Sequence, residues 1–150
     1  MKVEKISLSA RRYVAVRHTG PYSTIALGFE KLFGLSVPLG IPMQGAPAGF
    51  WYDDPMSVPE EELKSAAAFP VADDFTIEHA ELHVFDVPAG DYLSTVFFGP
   101  YSGLDKAWPE FTDAVRDQNP DWHVCFEEYL NDCHEVAPED IQTRLIVKSS

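Results

Sequence analysis

Glu127, Tyr129 and Asn131 stand at alternate positions of the segment Val124–Asp132, so as a β-strand this segment projects all three from one face. Phe126, Glu128 and Leu130 share the opposite face. A carboxylate among aromatic rings has two chemical uses. Ionised, it pairs with a cationic or polarised ligand while the rings supply stacking and cation–π contact. Desolvated, a carboxyl keeps its proton to higher pH and serves as a general acid or base near neutrality. The plainer alternative is a strand-edge glutamate bonded to a nearby tyrosine or exposed to water. Two tryptophans are candidates to join Glu127 and Tyr129. Trp108 falls on a helix, where core packing is the competing role, and Trp51 falls on a strand.

Other reactive types are sparse. His79, Glu81 and His83 share one strand face, a spacing able to hold a metal, but the alternation of Ala80, Leu82 and Val84 points that face to water. Cys125 and Cys133 match no metal or redox spacing and are expected as free thiols. No glycine-rich phosphate loop and no serine elbow occurs. The expectation is no metal and no cofactor.

The elements that must position these residues come from an internal repeat. Gly20-Pro21-Tyr22 falls on Gly99-Pro100-Tyr101, Tyr13 on Tyr92, Phe29 on Trp108 and Leu32 on Phe111 at one common offset. With one residue of slip, Trp51-Tyr52-Asp53-Asp54 falls on Tyr129-Leu130-Asn131-Asp132. Residues 2–75 and 78–148 therefore read as two copies of strand-strand-helix-strand-strand within one domain spanning 1–150, joined near 72–76. In the first copy, Val3–Leu8, Arg12–His18, Ala48–Asp53 and Lys64–Val71 read as strands. A helix capped by Ser23 or Thr24 runs to about Gly34, with Ile25, Leu27, Phe29, Leu32 and Phe33 as its apolar side. In the second copy the strands are Glu81–Asp86, Tyr92–Phe98, His123–Asn131 and Ile141–Lys148, with a helix from Ser102 to about Gln118 that contains Pro109.

The fold class that follows is α+β: duplicated half-domains about a pseudo-twofold axis, with antiparallel sheets, two main helices and a central cleft. Gly49 aligns with Glu127 and leaves room opposite it, so Trp51 is expected to line that cleft with Glu127 and Tyr129.

Composition sets limits on partners. Eleven Lys and Arg face 24 Asp and Glu, a net charge of -13. That excludes the basic footprint that duplex binding needs, and disfavours docking on an anionic membrane. No apolar run is long enough to span a bilayer, and the first residues read as a strand, not a signal peptide. A cytoplasmic location is expected, and no helix-turn-helix pattern suggests that the chain reads DNA itself.

The sequence resembles the GyrI-like (gyrase-inhibitor-like) family. Phe126-Glu127-Glu128-Tyr129-Leu130-Asn131-Asp132 is similar to that family's F-E-x-Y-L-N-[DN] signature. Gly28-Phe29-Glu30-Lys31-Leu32 resembles its first-helix motif, and Trp51-Tyr52-Asp53-Asp54-Pro55 with Pro59-Glu60-Glu61 its Y-D-[DN]-P…P-x-E segment. Ala89-Gly90-Asp91-Tyr92 resembles the turn that opens the second half. The likeness covers nearly the whole chain. It implies a stand-alone effector-binding domain like those of AraC-type and multidrug-responsive regulators, which hold bulky, often cationic aromatic compounds over a glutamate matching Glu127. Two other roles are implied for stand-alone members. One is hydrolysis of cyclopropane-bearing alkylating toxins by the matching glutamate and cleft aromatics; the other is inhibition of DNA gyrase by protein contact. Glu128, where an apolar residue is common, and Cys133, where proline or a small residue is usual, depart from the pattern.

Overall fold

The structure is a computed structural model and describes residues Met1–Ser150. Eight strands and two helices are present: β1 (Glu4–Leu8), β2 (Arg11–Thr19), α1 (Ile25–Ser36), β3 (Ala48–Trp51), β4 (Lys64–Val71), β5 (His83–Val87), β6 (Gly90–Phe98), α2 (Leu104–Val115), β7 (Pro120–Tyr129) and β8 (Gln142–Ser149). Short 3₁₀ turns precede each helix and precede β4 and β8, so both repeats carry one order of elements. All the strand pairs described below are antiparallel, and the fold is α+β.

The chain forms two compact units, residues 10–88 and residues 1–9 with 89–150. These units do not coincide with the two repeats, because each repeat's first strand pairs in the other repeat's unit. β1 lies against β6, with Ile6 opposite Tyr92, and β5 lies against β2, with Phe85 opposite Tyr13.

In the unit 10–88 the strand order is β3-β4-β2-β5. Alternation sends Val14, Val16, Ala67, Phe69 and Val71 to one face, where α1 covers them with Leu32. Gly28 permits the helix to come this close, since a Cβ there would stand 3.2 Å from the Ala67 Cβ. Leu27, expected on the apolar side, is 60% exposed; the buried stripe is Gly28, Leu32 and Ser36. The opposite face of the sheet carries Tyr13, Phe50 and Phe85, whose rings meet edge-on or stacked at 4.9 to 5.8 Å.

In the unit 1–9 with 89–150 the order is β1-β6-β8-β7. Leu93, Leu145 and Val147 share a face with Cys125, and α2 covers it with Leu104, Ala107, Phe111 and Val115, spaced as one helical stripe. Pro109 lies on the exposed side of α2, where the Asp105 carbonyl it frees can bond water. β7 begins at Pro120, earlier than the expected His123, and Trp122 lies within it at an irregularity in its pairing with β8.

Neither helix is capped as expected from Ser23, Thr24 or Ser102, for no side-chain cap hydrogen bond forms at either start. Thr24 instead donates to the Pro21 carbonyl at 2.6 Å and meets His18 Nε2 at 2.8 Å. The preceding Gly-Pro-Tyr turns do the positioning. Gly20 and Gly99 adopt φ of +132° and +144°, and their N–H groups donate to the carbonyls of Leu63 and Ile141 at 2.8 and 2.9 Å. Such backbone angles favour glycine. Gly99→Ala, whose Cβ would also stand 3.1 Å from Phe97, is expected to cost about 1–3 kcal/mol. A thermal melt reads this as a drop of several degrees, and an unchanged melting temperature would refute it.

Candidate functional site

The face of β7 that meets α2 carries Cys125, Glu127 and Tyr129, because each pairs in register with Val147, Leu145 and Thr143 of the covered face of β8. Glu128 projects from the other face, with Arg144 Nη1 3.8 Å from its carboxylate.

Glu127 is buried, with 4% of its surface exposed. The Trp108 indole N–H, one turn past Leu104 on α2, donates to Glu127 Oε1 at 2.8 Å. The same indole packs edge-on against Phe111 at 5.8 Å, so core packing and carboxylate binding fix a single ring orientation. The Tyr129 hydroxyl is also hydrogen-bonded to Glu127. The Tyr101 ring meets the Tyr129 ring at 5.5 Å and 72°, and the Tyr101 hydroxyl lies beside Cys133. The result is a polar string, Trp108–Glu127–Tyr129, continued through aromatic contact to Tyr101 and Cys133. Thr143, cross-strand from Tyr129, is fully buried and its hydroxyl has no hydrogen-bond partner. A buried unsatisfied hydroxyl costs free energy and is a group that a bound molecule or water can satisfy.

The electrostatics follow from burial beside a carboxylate. Desolvation, then the Glu127 charge and hydrogen bond, push the Tyr129 hydroxyl well above its ordinary value. Desolvation, then Cys133, raise Tyr101 to about 12. Both phenols are therefore neutral hydrogen-bonding groups at physiological pH. Burial, with Glu127 adding to it, raises the Cys125 thiol from 9.0 to about 12. Because the folded value is raised, the stabilising contribution of the neutral thiol is complete below pH 9 and is lost as pH rises towards 12. The slope reaches about 1.4 kcal/mol per pH unit for one such proton. Urea melts between pH 8 and 10.5 are expected to show the decline in the wild type and a shallower one in Cys125→Ala. Parallel curves would show that Cys125 does not carry it.

Trp51 stands in the unit 10–88. There its ring lies 4.5 Å from that of Tyr22, the pair that corresponds by repeat to Tyr129 with Tyr101. Gly49 and Phe29 occupy the positions of Glu127 and Trp108, so that unit has the aromatic pair without the indole–carboxylate pair. Of the four residues singled out by sequence, the structure thus joins Glu127, Tyr129 and Trp108 in one unit and sets Trp51 with Tyr22 in the other. Tyr101, Cys133 and Thr143 escaped the sequence reading. The Gly-Pro-Tyr repeat marks Tyr101 as a turn, and its proximity to Tyr129 arises because β6, which it follows, and β7 both pair with β8.

Asn131, also on the Glu127 face in sequence, ties down the loop after β7: its Oδ1 accepts from the Gln142 N–H and its Nδ2 donates to the Asp140 carbonyl, both at 2.9 Å. His79, Glu81 and His83 go separate ways. His79 accepts from the Glu81 and Leu82 N–H groups, and Glu81 pairs with Lys31. Donor atoms of Asp132, Cys133 and His134 lie within 4.8 Å of one another, but Asp132 Oδ1 already accepts from the His134 N–H. No helix is long and apolar enough to cross a membrane, and both cysteines are free.

These features define the class: an α+β domain of repeated β-sheet units, each backed by one helix, with a buried carboxylate beneath aromatic rings. The chain belongs to the GyrI-like family, matching its small molecule binding domain over residues 1–149. It is 33% identical over 143 residues to a DNA gyrase inhibitor of Yersinia enterocolitica, covering 88% of each chain. Among solved structures, the fold is similar to SAV2435 bound to tetraphenylphosphonium, with a TM-score of 0.74 and 13% identity over 100% of this chain and 94% of that one. It is also similar to a hydrolase from Listeria innocua, with a TM-score of 0.69 and 15% identity over 99% of this chain and 92% of that one.

Proposed function

We propose that this protein binds a small hydrophobic or cationic aromatic molecule, a drug or toxin, over the carboxylate of Glu127, with Trp108 and Tyr129 as the aromatic contacts. The observation that carries this reading is the Glu127 carboxylate itself, buried and oriented by the indole N–H at 2.8 Å. A carboxylate taken out of water costs free energy, and a bound cation offsets that cost while the rings contact its apolar body. The net charge of -13 raises the local concentration of cations. The neutral hydroxyl of Thr143 offers a further polar contact. A cytoplasmic location belongs to the same reading, since both thiols are unbonded.

The test is calorimetric titration with tetraphenylphosphonium, with mass spectrometry of the recovered compound. Saturable one-to-one binding with the compound intact supports the proposal, and absence of heat with a panel of lipophilic cations would remove it. With a cyclopropane-bearing alkylator as ligand, recovery of a water-added product would instead establish hydrolysis, with Glu127 as the residue directing water or protonating the opening ring.

A second reading is inhibition of DNA gyrase by protein contact. Two observations favour it: the 33% identical relative bears that name, and the acidic surface suits a basic partner. It requires a complex with gyrase that weakens as salt rises; no complex at low salt would dismiss it.

A further inference from the structure

The unit 10–88 contains a groove of about 440 Å³ on the sheet face opposite α1, within the size range of small-molecule sites. Strand pairing explains its construction. Arg17 of β2 is opposite Ala66 of β4, Thr19 is opposite Lys64, and Ala15 is opposite His83 of β5. Arg17 therefore has Lys64 diagonally on one side and His83 diagonally on the other, all on one face. Ala15 and Ala66 make the floor, and Tyr52 and Phe85 are the aromatic walls.

Two features set this groove apart. In a chain with 24 acidic residues, its charged lining is wholly basic. Other cations of the chain pair with carboxylates: Arg12 with Asp86, Lys31 with Glu81, Arg116 with Asp113 and Arg144 with Glu128. Arg17, Lys64 and His83 have no ion-pair partner. The groove is also specific to this repeat. At the position of Ala66 the second repeat carries Arg144, and at that of Phe50 it carries Glu128, so there a salt bridge occupies the corresponding space. The alanine opens the floor, and the cations around it are left uncompensated.

We propose that this groove is a second ligand site, for a small organic anion: a carboxylate on a flat apolar body. The Arg17 guanidinium takes the carboxylate in its planar fork, and Lys64 adds charge. The His83 ring supplies a further donor. The flat body lies on the alanine floor between Tyr52 and Phe85. Its charge preference is opposite to that of the site at Glu127.

The probe is 2-naphthoate, titrated calorimetrically into the wild type, Arg17→Gln and Lys64→Gln, with 2-naphthamide as the neutral counterpart and inorganic phosphate as competitor. Both substituted side chains are exposed, and circular dichroism verifies the fold. Wild-type binding at about 1 mM or tighter is expected. Each variant should weaken it about tenfold, naphthamide should not bind, and excess phosphate should compete poorly. Tetraphenylphosphonium binding by Arg17→Gln, which reports on Glu127, should be unchanged, so failure of one site is distinguishable from failure of the other. Equal binding of naphthoate and naphthamide, undiminished binding by Arg17→Gln, or no binding at all would overturn the proposal. Displacement by phosphate at equal concentration would overturn the aromatic-carboxylate assignment, since recognition would then rest on charge without the flat body.

Discussion

Glu127→Gln is expected to weaken tetraphenylphosphonium by about 10- to 100-fold and a neutral aromatic of similar size, such as triphenylphosphine oxide, by less than about threefold. The substitution keeps shape and hydrogen bonding. A glutamine carbonyl still accepts the Trp108 N–H, and its amide can donate to the Tyr129 hydroxyl, which accepts as well as donates. What disappears is the charge. A unit pair about 4 Å apart at an effective dielectric near 20 is worth about 4 kcal/mol before desolvation of the cation is subtracted, and a net loss of one to two powers of ten is what remains. Calorimetry on both ligands, with folding checked by circular dichroism, reads the result. Equal weakening of cation and neutral ligand would refute the electrostatic role of Glu127, leaving shape as the basis of binding.

Phe111→Ala is expected to destabilise by about 3–5 kcal/mol, and Leu32→Ala, its counterpart in the other repeat, by about 2–5 kcal/mol. Both side chains are fully buried, each at the centre of its helix–sheet cluster. The ring leaves the larger void, and its removal also frees Trp108, which packs edge-on against it. Against a total of about 5–15 kcal/mol for an ordinary domain, either loss is a large fraction. Urea midpoints measure both. A cost below about 1 kcal/mol at Phe111 would mean that α2 is not held by this cluster. Phe111→Ala should also loosen cation binding through Trp108, whereas Leu32→Ala, in the unit that lacks the indole–carboxylate pair, should spare it.

Much of this was legible from residue order. Lys64–Val71 matches β4 residue for residue. The repeat, anchored on Gly20-Pro21-Tyr22 and Gly99-Pro100-Tyr101, gave the order of elements in both halves. Glu127, Tyr129 and Trp108 were reached from alternation and from a resemblance, and the three meet in one unit. Helix caps do not follow from residue type: Thr24 has the right chemistry, but its hydroxyl bonds backward to Pro21. Leu27 turns away from the sheet because Gly28, with no side chain to register as apolar, is what faces it. Tyr101, Cys133 and Thr143 were invisible for a different reason. Their closeness to Glu127 depends on cross-strand register, which a residue's own neighbours do not encode.

The pairing of β1 with β6 bears on how the chain is made. Glu4–Leu8 is synthesised long before its partner, Gly90–Phe98. At about 5–20 residues per second, the early strand waits roughly 4–16 s for the segment it will join. During that wait the unit spanning residues 10–88 can close its own sheet once β5 emerges, because β5 supplies the edge of β2. The first strand then hangs as an unpaired edge on a nascent chain. Its brevity and its charged pair, Glu4 and Lys5, are the features that discourage such an edge from recruiting a stranger. The exchange of first strands between repeats thus sets an order of assembly: the middle of the chain before its beginning.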